Sequence, residues 1–532
     1  MYVFLAFNLT LANKHSISII ISTLFVICFG VYSSKNPRLG KVETEENGDL
    51  TEQQDDLVEA KSSTNILFIM ADDLGYNHLG VYGQQKIKTP NIDQLASEGM
   101  RFNQFYAGAN VCGPSRATIM LGIHTGHLPY RDNRDNHLVR EHNRLGELTI
   151  LSELLRKKGG YQIGYFGKYG IGGPENISNG LKPNDIGFNE FWGLLEHGHG
   201  HFHFPAYIWH NKEKISLSNT TRSGNAEFGL SSRDINERRE HTDDVFSEKA
   251  IEFIKESAKK DRPFFCYLSF SLPHTEMLPR EEFAEEYRKK GWGEYNSIDN
   301  GYHVPTDTPK ANFAGMISQV DYWTGQAMKA LEESGVSDNT LVIFTSDNGG
   351  QLRETWGDVP SHFFEANGPL RKGKEWNYEG GIRVPMIARW PGKIAPGSMS
   401  NHIGYFPDLM PTFAQVADVP ESVPEYVDGI SLLPELTGKQ MEQKQHEYLY
   451  WERPNYENKG GYLQVHPTIW RQAIRFGKWK ALRETTNSPV ELYNLEDDLG
   501  EHNNLASEYP ELVNKAIQIM EEARYEPMDL PN

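Results

Sequence analysis

Four short apolar runs, each followed closely by residues that can bind a metal ion or an anion, constrain the fold most. The runs are Asn65–Met70, Ile163–Phe166, Phe264–Phe270 and Leu341–Thr345. Continuous apolar strands are typical of a parallel sheet that helices cover on both faces. Helical patterns lie between the runs, at Ile92–Gly99, Leu151–Lys158, Asp244–Ser257 and Phe313–Ser334. The sequence therefore predicts an α/β fold with a large, mostly parallel sheet.

The polar residues that follow these runs are expected to share one site. They are Asp72, Asp73, Lys168, His274, Asp347 and Asn348. In an open α/β sheet, residues just beyond the carboxyl ends of the strands converge on one crevice. One Asp-Asp or Asp-Asn-Gly segment alone is more often a turn or a helix cap, but two such segments favour a metal site. Their oxygen ligands suit Ca²⁺ or Mg²⁺ and not zinc.

A second candidate element is the run Cys112-Gly-Pro-Ser-Arg116. The proline and the arginine let a helix begin just after the thiol, so that backbone N–H groups and a guanidinium point at the target of Cys112. An anionic target fits best. The alternative is a buried cysteine that acts as a small hydrophobic residue.

Charge and length narrow the classes of partner. The chain has 532 residues and a formal net charge of −19, and it shows no long basic cluster of the kind that nucleic acid requires, so nucleic acid is not an expected partner. The same acidity repels anionic polymers at long range. An anionic substrate must therefore be held locally, and Arg116, Lys168 and Lys374 are the expected cations.

The N-terminal segment predicts export from the cytoplasm. The apolar run 17–32 follows Lys14 and His15 and is shorter than the roughly 20 residues of a membrane span. We expect a signal peptide over residues 1–33, an acidic linker over 34–61, no stable membrane insertion, and a secreted or periplasmic protein. An uncleaved anchor is the alternative. Only Cys112 and Cys266 follow the signal, so no disulfide framework is expected.

Spaced motifs from about residue 64 to the C-terminus resemble the type I sulfatases. Besides the Cys112 run with Gly122, they are Asn65–Tyr76, Thr89–Asp93, Pro273-His274, Thr345–Gly349, Gly368–Lys374 and Tyr378–Pro385. The resemblance implies an alkaline-phosphatase-like sandwich, with a large mixed, mostly parallel sheet between helices. It also implies a catalytic domain over 62–435 and a smaller C-terminal α+β subdomain over 436–532 with an antiparallel sheet.

The same resemblance implies a sulfuric ester hydrolase that releases sulfate from a sulfated carbohydrate. Cys112 would be converted to formylglycine by the formylglycine-generating enzyme and would serve as nucleophile. One Ca²⁺ per chain would be held by Asp72, Asp73, Cys112, Asp347 and Asn348. Lys168 and Lys374 would hold sulfate oxygens, Arg116 would steady the formylglycine, and His274 would protonate the leaving alcohol.

One segment departs from the family pattern. Many members have a histidine where this chain has Gly170, in Gly167-Lys-Tyr-Gly-Ile-Gly172. The histidine-rich tract 197–203 follows, and the hypothesis is that His201, or else His199, replaces the missing side chain as a base. The tract could equally be a surface cluster.

Other functions stay open at this level. The runner-up enzyme is a phosphate or phosphonate monoester hydrolase on the same fold, and the non-enzymatic alternative is a sulfated-glycan binding protein. Trp451, Trp470 and Trp479 are expected to be core residues more often than sugar platforms. His124 and His127 are weaker candidates for substrate contact. The sugar, the sulfate position and the oligomeric state stay open, although the acidic surface favours exo action.

Overall fold

The computed structural model of the chain describes residues 59–129, 131–133, 148–171, 182–222, 229–352, 360–459 and 462–525. The predicted signal peptide and most of the predicted acidic linker lie outside these residues. Among the described helices, none combines the length and the apolar character that crossing a membrane requires.

The strands and helices are numbered in chain order. The strands are β1 (Asn65–Ala71), β2 (Met100–Phe102), β3 (Phe105–Tyr106), β4 (Gln162–Lys168), β5 (Glu190–Leu194), β6 (Tyr207–His210), β7 (Glu213–Ser216), β8 (Thr221–Arg222), β9 (Leu230–Ser231), β10 (Phe264–Ser269), β11 (Thr340–Ser346), β12 (Met386–Arg389), β13 (Ser398–Ser400), β14 (Gly404–Tyr405), β15 (Leu449–Lys459), β16 (Tyr462–Phe476), β17 (Trp479–Arg483) and β18 (Glu491–Asn494). The helices are α1 (Pro90–Ser97), α2 (Cys112–Leu121), α3 (Leu151–Lys157), α4 (Thr242–Ser257), α5 (Glu281–Arg288), α6 (Pro309–Glu333), α7 (Glu379–Ile382), α8 (Leu409–Val416), α9 (Leu433–Leu436) and α10 (Pro510–Glu522).

A ten-stranded sheet organises the molecule, in the order β13-β2-β12-β11-β1-β10-β4-β5-β6-β7. Its central strands β11, β1, β10, β4 and β5 run parallel. On one side of this parallel core, β12 pairs with β11 in the antiparallel sense, and on the other side β6 pairs with β5 in the same way. The carboxyl ends of the central strands therefore lie at one edge, as the apolar runs predict.

Both faces of this sheet are covered, which explains why its strands are apolar throughout. In β1, Ile66, Phe68 and Met70 belong to the hydrophobic cluster that contains residues of α2, α3 and α8. The intervening Leu67 and Ile69 belong to the cluster that contains residues of α1, α4 and α6. Because successive strand side chains point to opposite faces, one uninterrupted apolar run supplies both cores.

A separate four-stranded antiparallel sheet, β15-β16-β17-β18, lies near the C-terminal end of the described chain. Tyr450 and Ile474 on one face pack with Met520 of α10. On the other face, Trp451 belongs to a cluster with Tyr106, and its indole N–H donates to the Ala107 carbonyl at 2.8 Å. The predicted fold class, a mostly parallel mixed sheet between helices plus a small antiparallel sheet, is confirmed.

The predicted elements differ from the observed ones mainly at their ends. Each of the four apolar runs forms a strand, but β10 ends at Ser269, one residue before the predicted end. Within the predicted C-terminal subdomain, Gly477 adopts a left-handed conformation (φ 56°) and turns the chain between β16 and β17. The turn makes the hairpin that brings both strands into the small sheet.

Candidate active site

The site begins where β1 and β11 end side by side. The Asp72 N–H donates to the Leu272 carbonyl at 2.9 Å, and the Asp347 N–H donates to the Ala71 carbonyl at 3.0 Å. Asp73 has a φ of 63°, which is unusual for a residue other than glycine. This backbone turns the second carboxylate back over the strand ends, so both aspartates of the Asp-Asp pair face the same centre.

Four predicted site residues meet here. One potential ligand atom from each of Asp72, Asp73, Cys112 and His274 lies within 4.8 Å of the others. Asp347 adjoins them, because its Oδ1 accepts from the Asp73 N–H at 3.1 Å. Asn348 donates from Nδ2 to Asp73 Oδ1 at 2.8 Å. All these side chains are buried.

Cys112 is the first residue of α2 and lies on the floor of the site. Its Sγ is 3.2 Å from Asp72 Oδ1 and 3.9 Å from Asp73 Oδ1. The start of α2 is fixed from the side, because the Gly113 N–H donates to Asn133 Oδ1 at 2.8 Å. Burial, together with the negative charges of Asp347 and Asp72, raises the pKa of the Cys112 thiol well above its usual value. The unmodified thiol is therefore neutral and a poor nucleophile.

Arg116, one turn further along α2, ties the elements of the site together. Its Nε and one terminal nitrogen contact Asp347 Oδ2 at 3.1 and 2.8 Å. The other terminal nitrogen donates to the Lys168 carbonyl and to Ser269 Oγ, both at 2.6 Å. One buried guanidinium thus connects the ends of β11, β4 and β10.

Two lysines place positive charge beside the carboxylates. Lys168, the last residue of β4, forms an ion pair with Asp72 Oδ2. Lys374 Nζ lies 2.7 Å from Asp73 Oδ2. Although burial disfavours a charged carboxyl, Lys168, His274 and Arg116 lower the pKa of Asp72 well below its usual value. The floor of the site therefore holds paired charges of both signs.

His274 faces this centre from the loop after β10. Its Nδ1 donates to the Thr275 carbonyl at 2.7 Å, which fixes the ring, and its Nε2 lies 3.6 Å from Asp73 Oδ2. Burial and the nearby charge of Lys374 lower the pKa of His274. Although it was not a predicted metal ligand, His274 joins the group of potential ligand atoms described above.

The histidine-rich tract folds back onto the site. The His201 ring stacks on His274 with centroids 4.5 Å apart. His197 lies 3.2 Å from His201, measured between the two Nε2 atoms, and also contacts Asn133. His199 instead directs Nε2 to the Tyr207 carbonyl at 3.1 Å. Of the two predicted replacements, the structure brings His201 and not His199 to the site, and it adds His197.

Gly170 and the histidine-rich tract both lie next to the side chain of Lys168. A Cβ atom on Gly170 would lie 3.4 Å from Arg116 Cδ and 3.7 Å from Lys168 Cε, so a side chain there would point into the site. A Cβ on Gly200 would lie 2.8 Å from Lys168 Cδ. The tract therefore packs directly on the Lys168 stem.

A cavity of about 170 Å³ opens above these residues. It is lined by Val111, Asp132, Asn133, His197, His201, His274, Thr275, Gln351, Lys374, Glu375 and Arg453. Sequence reasoning missed Asp132, Asn133, His197, Gln351, Glu375 and Arg453 as individual site residues. The position of Glu375, directly after Lys374, was the only local indication for any of them outside the histidine tract.

The remaining candidates lie elsewhere. His124 and His127 stack on each other and gather around Asp428, beside a different cavity of about 320 Å³. Trp451 is fully buried, and the guanidinium groups of Arg131 and Arg524 lie over the ring of Trp470. Trp479 contacts Tyr509 with a tilted ring arrangement, the two centroids being 5.0 Å apart. None of these five candidate residues lines the 170 Å³ cavity.

The residues present fit a hard divalent cation. The Asn348 Oδ1 atom is buried and accepts no hydrogen bond from the described residues. An unsatisfied buried carbonyl oxygen beside Asp72 and Asp73 is the donor set that Ca²⁺ prefers. Asp347 is the least free of the predicted ligands, because the Asp73 N–H and Arg116 engage its two oxygens.

Comparison with known proteins identifies the family of the chain. The Sulfatase family model matches residues 64–419, and the model for the C-terminal part of N-sulphoglucosamine sulphohydrolase matches residues 372–526. The chain belongs to the sulfatase family. This sulfatase is therefore a sulfuric ester hydrolase, and the predicted family and enzyme class are confirmed.

Three known proteins show the extent of the similarity. Arylsulfatase A of Homo sapiens is 30% identical over 482 residues, which cover 83% of each chain. N-acetylgalactosamine-6-sulfatase of Canis lupus familiaris is 28% identical over 432 residues, which cover 79% of this sulfatase and 72% of the relative. The crystal structure of Ps i-CgsB in complex with k-i-k-neocarrahexaose has a TM-score of 0.68 and 27% identity, and the match covers 88% of this sulfatase and 94% of that chain.

Proposed function

We propose that this sulfatase hydrolyses a sulfate ester on a carbohydrate, using formylglycine at position 112 and one Ca²⁺. The observation that carries the proposal is the meeting of Cys112, the carboxylates of Asp72 and Asp73, and two buried lysines. One of these lysines, Lys374, lines the 170 Å³ cavity together with His274. The floor of the site joins a nucleophile position to cations that can hold a small tetrahedral anion. The neocarrahexaose bound by the similar Ps i-CgsB supports a carbohydrate substrate.

Each predicted residue has a role in this proposal. A hydrated formylglycine at position 112 would supply the attacking hydroxyl, and Ca²⁺ bound by Asp72, Asp73, Asp347 and Asn348, with residue 112 as a further ligand, would polarise the sulfate oxygens. Lys168 and Lys374 bind the remaining sulfate oxygens by charge-assisted hydrogen bonds. Arg116 holds Asp347 and the end of β11 in position through contacts that do not depend on substrate.

Protons are handled by histidines. His274 has its Nδ1 committed to Thr275, so Nε2 is the atom that exchanges a proton with the leaving oxygen. A bound sulfate adds negative charge beside Nε2 and favours the protonated ring that can act as donor. His201, stacked on His274, is the proposed base where Gly170 has no side chain, and His197 lies next to it.

Maturation and export belong to the same proposal. The thiol of Cys112 requires oxidation by a formylglycine-generating enzyme. The signal peptide over residues 1–33 would deliver the protein to the periplasm or the outside of the cell.

Peptide mass spectrometry and an activity assay together test the proposal. Protein co-expressed with the maturation enzyme is digested, the mass of the Cys112 peptide is measured, and sulfate release from monosulfated sugars is assayed with Ca²⁺ and with chelator. We expect formylglycine at position 112 and Ca²⁺-dependent sulfate release. An unmodified thiol in an active enzyme, or faster hydrolysis of phosphate or phosphonate monoesters than of sulfate esters, would refute it.

A further inference from the structure

The last histidine of the histidine-rich tract, His203, lies beside the active site and has no role in the proposed hydrolysis. Its side chain is completely buried and does not line the 170 Å³ cavity. The Nε2 atom of His203 lies 3.1 Å from the carbonyl oxygen of His274, the residue proposed to protonate the leaving oxygen. His203 therefore contacts the backbone of the proposed acid and has no surface from which to touch a substrate.

The surroundings of His203 decide which of its ring nitrogens carries a hydrogen. Burial lowers the pKa of His203 to about 3, so the ring is neutral at neutral pH and only one nitrogen is a donor. A backbone carbonyl can only accept a hydrogen bond. The Nε2–H group of His203 therefore donates to the His274 carbonyl, and Nδ1 is left as an acceptor.

A serine and an aspartate hold the other edge of this ring. Ser271 Oγ lies 3.3 Å from His203 Nδ1 and 2.6 Å from Oδ2 of Asp243, which belongs to α4. The Ser271 N–H also donates to Asp243 Oδ1 at 2.8 Å. The side chains of all three residues are completely buried. His203 is thus held between a fixed hydroxyl group and the His274 carbonyl.

The peptide group that His203 contacts influences the direction of the His274 ring. Its carbonyl belongs to the peptide between His274 and Thr275, and the ring Nδ1 of His274 donates to the next carbonyl, that of Thr275, at 2.7 Å. Rotation of this peptide would move the Thr275 carbonyl and turn His274 Nε2 away from Asp73 Oδ2, which is 3.6 Å away. A displacement of about 1 Å can cost roughly 100-fold in rate.

We propose that His203 is a positioning residue for His274. Its Nε2–H group fixes the peptide between His274 and Thr275, and Ser271 and Asp243 orient the ring of His203. This inference rests on the proposed function, in which His274 Nε2 gives its proton to the leaving oxygen as the sulfur–oxygen bond breaks. It predicts that His203 affects the rate only when the leaving oxygen needs that proton.

Esters with different leaving groups test this role. 4-Nitrophenyl sulfate releases a stable phenolate and needs little proton donation, whereas phenyl sulfate and sulfated sugars release more basic oxygens that need it. We compare kcat/KM on these three kinds of ester. This ratio measures the barrier from free enzyme and ester to the transition state, so it does not depend on later release of sulfate from the enzyme.

Three substitutions separate the hydrogen bond from the packing of the ring. His203→Leu removes the donor, and His203→Asn can place its amide only near the position of Nδ1. His203→Gln can place an amide N–H near the position of Nε2 and so restores the donor. The matched control is His402→Leu. His402 is also buried, its ring nitrogens have no hydrogen-bond partner among the described residues, and it does not line the cavity.

The expected result is a split between leaving groups. His203→Leu and His203→Asn should lose about 10- to 100-fold in kcat/KM on phenyl sulfate and sulfated sugars, and less than about threefold on 4-nitrophenyl sulfate. His203→Gln should stay within about threefold of the wild type on every ester. Adding His203→Leu to His274→Ala should cause no further loss, as expected for residues that act as a unit. The His402→Leu control should keep wild-type values.

Other outcomes overturn the inference. Equal losses on all esters, in variants whose thermal unfolding matches that of the wild type, would show that His203 only supports the fold. Unchanged kcat/KM on phenyl sulfate in His203→Leu, a His203→Gln variant as slow as His203→Leu, or a further loss in the His274→Ala background would also refute it. If His203→Leu does not fold, the His203→Asn and His203→Gln pair makes the same comparison.

Failure of the proposed function gives a different result. A matured wild type that hydrolyses aryl sulfates but no sulfated sugar would refute the carbohydrate substrate, and the two aryl sulfates would still test His203. A matured wild type that releases sulfate from no ester would refute the proposed function and this inference with it.

Discussion

Two buried clusters of charged side chains in this sulfatase contain the same residue types, lysines paired with carboxylates, but differ in their expected roles. In the active-site cluster, Lys168 pairs with Asp72 and Lys374 with Asp73. In the second cluster, which we call the Lys480 cluster, Lys480 on β17 lies 2.9 Å from both Glu379 Oε1 and Glu501 Oε1. Lys168 and Lys480 both have no exposed side-chain surface.

The two clusters differ in what lies beside the paired charges. Both carboxylate oxygens of Glu379 are engaged, Oε1 by Lys480 and Oε2 by Tyr106 and Arg383. Each cluster also contains a buried oxygen that accepts no hydrogen bond from the described residues, Asn348 Oδ1 in the active-site cluster and Glu501 Oε1 in the Lys480 cluster. Buried charge and unused oxygens alone therefore do not indicate a catalytic site. The active-site cluster is distinguished by Cys112 within it and by the cavity that Lys374 and His274 line.

The largest expected effect separates a catalytic cysteine from a core cysteine. Cys112→Ala should lower sulfate release by more than about 10⁴-fold, because it removes the nucleophile position. Its thermal unfolding should remain close to that of the wild type. The control is Cys266→Ala, in the core strand β10, which should lose stability through a cavity and keep its turnover per folded molecule. Multiple turnovers by Cys112→Ser made without the maturation enzyme would contradict the formylglycine mechanism.

A smaller effect is expected from His201, the proposed base beside the active-site cluster. His201→Ala should lower turnover by about 10²–10⁴-fold, the usual effect of removing a general base. Sulfate retained covalently on the protein, measured by intact mass, would show that product release from the enzyme has become slow. His199→Ala is the control and should keep turnover near that of the wild type, because His199 faces the Tyr207 carbonyl. Wild-type rates for His201→Ala and for a His197→Ala variant would leave the tract without a role in catalysis.

A substitution in the Lys480 cluster should lower the stability of the protein and leave its turnover unchanged. Lys480→Met leaves Glu379 and Glu501 buried without this partner and should lower the free energy of unfolding by about 3–5 kcal/mol. Denaturant unfolding measures this loss, and kcat of the folded fraction should not change. Lys255→Met, which breaks an exposed pair with Glu333, is the control and should cost about 0–1 kcal/mol. A loss of kcat in the folded Lys480→Met variant would mean that the two clusters are linked.

The parts of this molecule that the sequence predicts are those with local signals. The apolar run at 65–70 and the Asp-Asp pair after it predict a central strand and one side of the site, because burial on both faces requires apolar residues and strand ends converge. The run Cys112–Arg116 predicts the start of α2 in the same way. Such signals depend only on a few neighbouring residues.

Asp132, Glu375 and Arg453, which line the 170 Å³ cavity, could not be predicted because their contacts join distant parts of the chain. Arg453 and Asp132 are 321 positions apart, and no local pattern around either residue indicates a partner. His201 was predicted as a site residue and His197 was not. Both lie in one histidine-rich tract, and the sequence does not show which rings face the site, because this depends on the backbone turn at His199–His201. The left-handed backbone conformation of Glu375 also depends on distant partners, because its N–H donates to Asn110 and its carbonyl accepts from Arg471.

The complete burial of Cys112 has a consequence for the order of events in biosynthesis. Its side chain has no exposed surface in the folded chain, and Lys374 and Arg453, which help to enclose the site, follow it by hundreds of residues. Cys112 therefore leaves the ribosome long before the segments that cover it. For the proposed formylglycine to form, the oxidising enzyme must reach Cys112 before these segments fold over it. The yield of active protein would then depend on the relative rates of modification and folding.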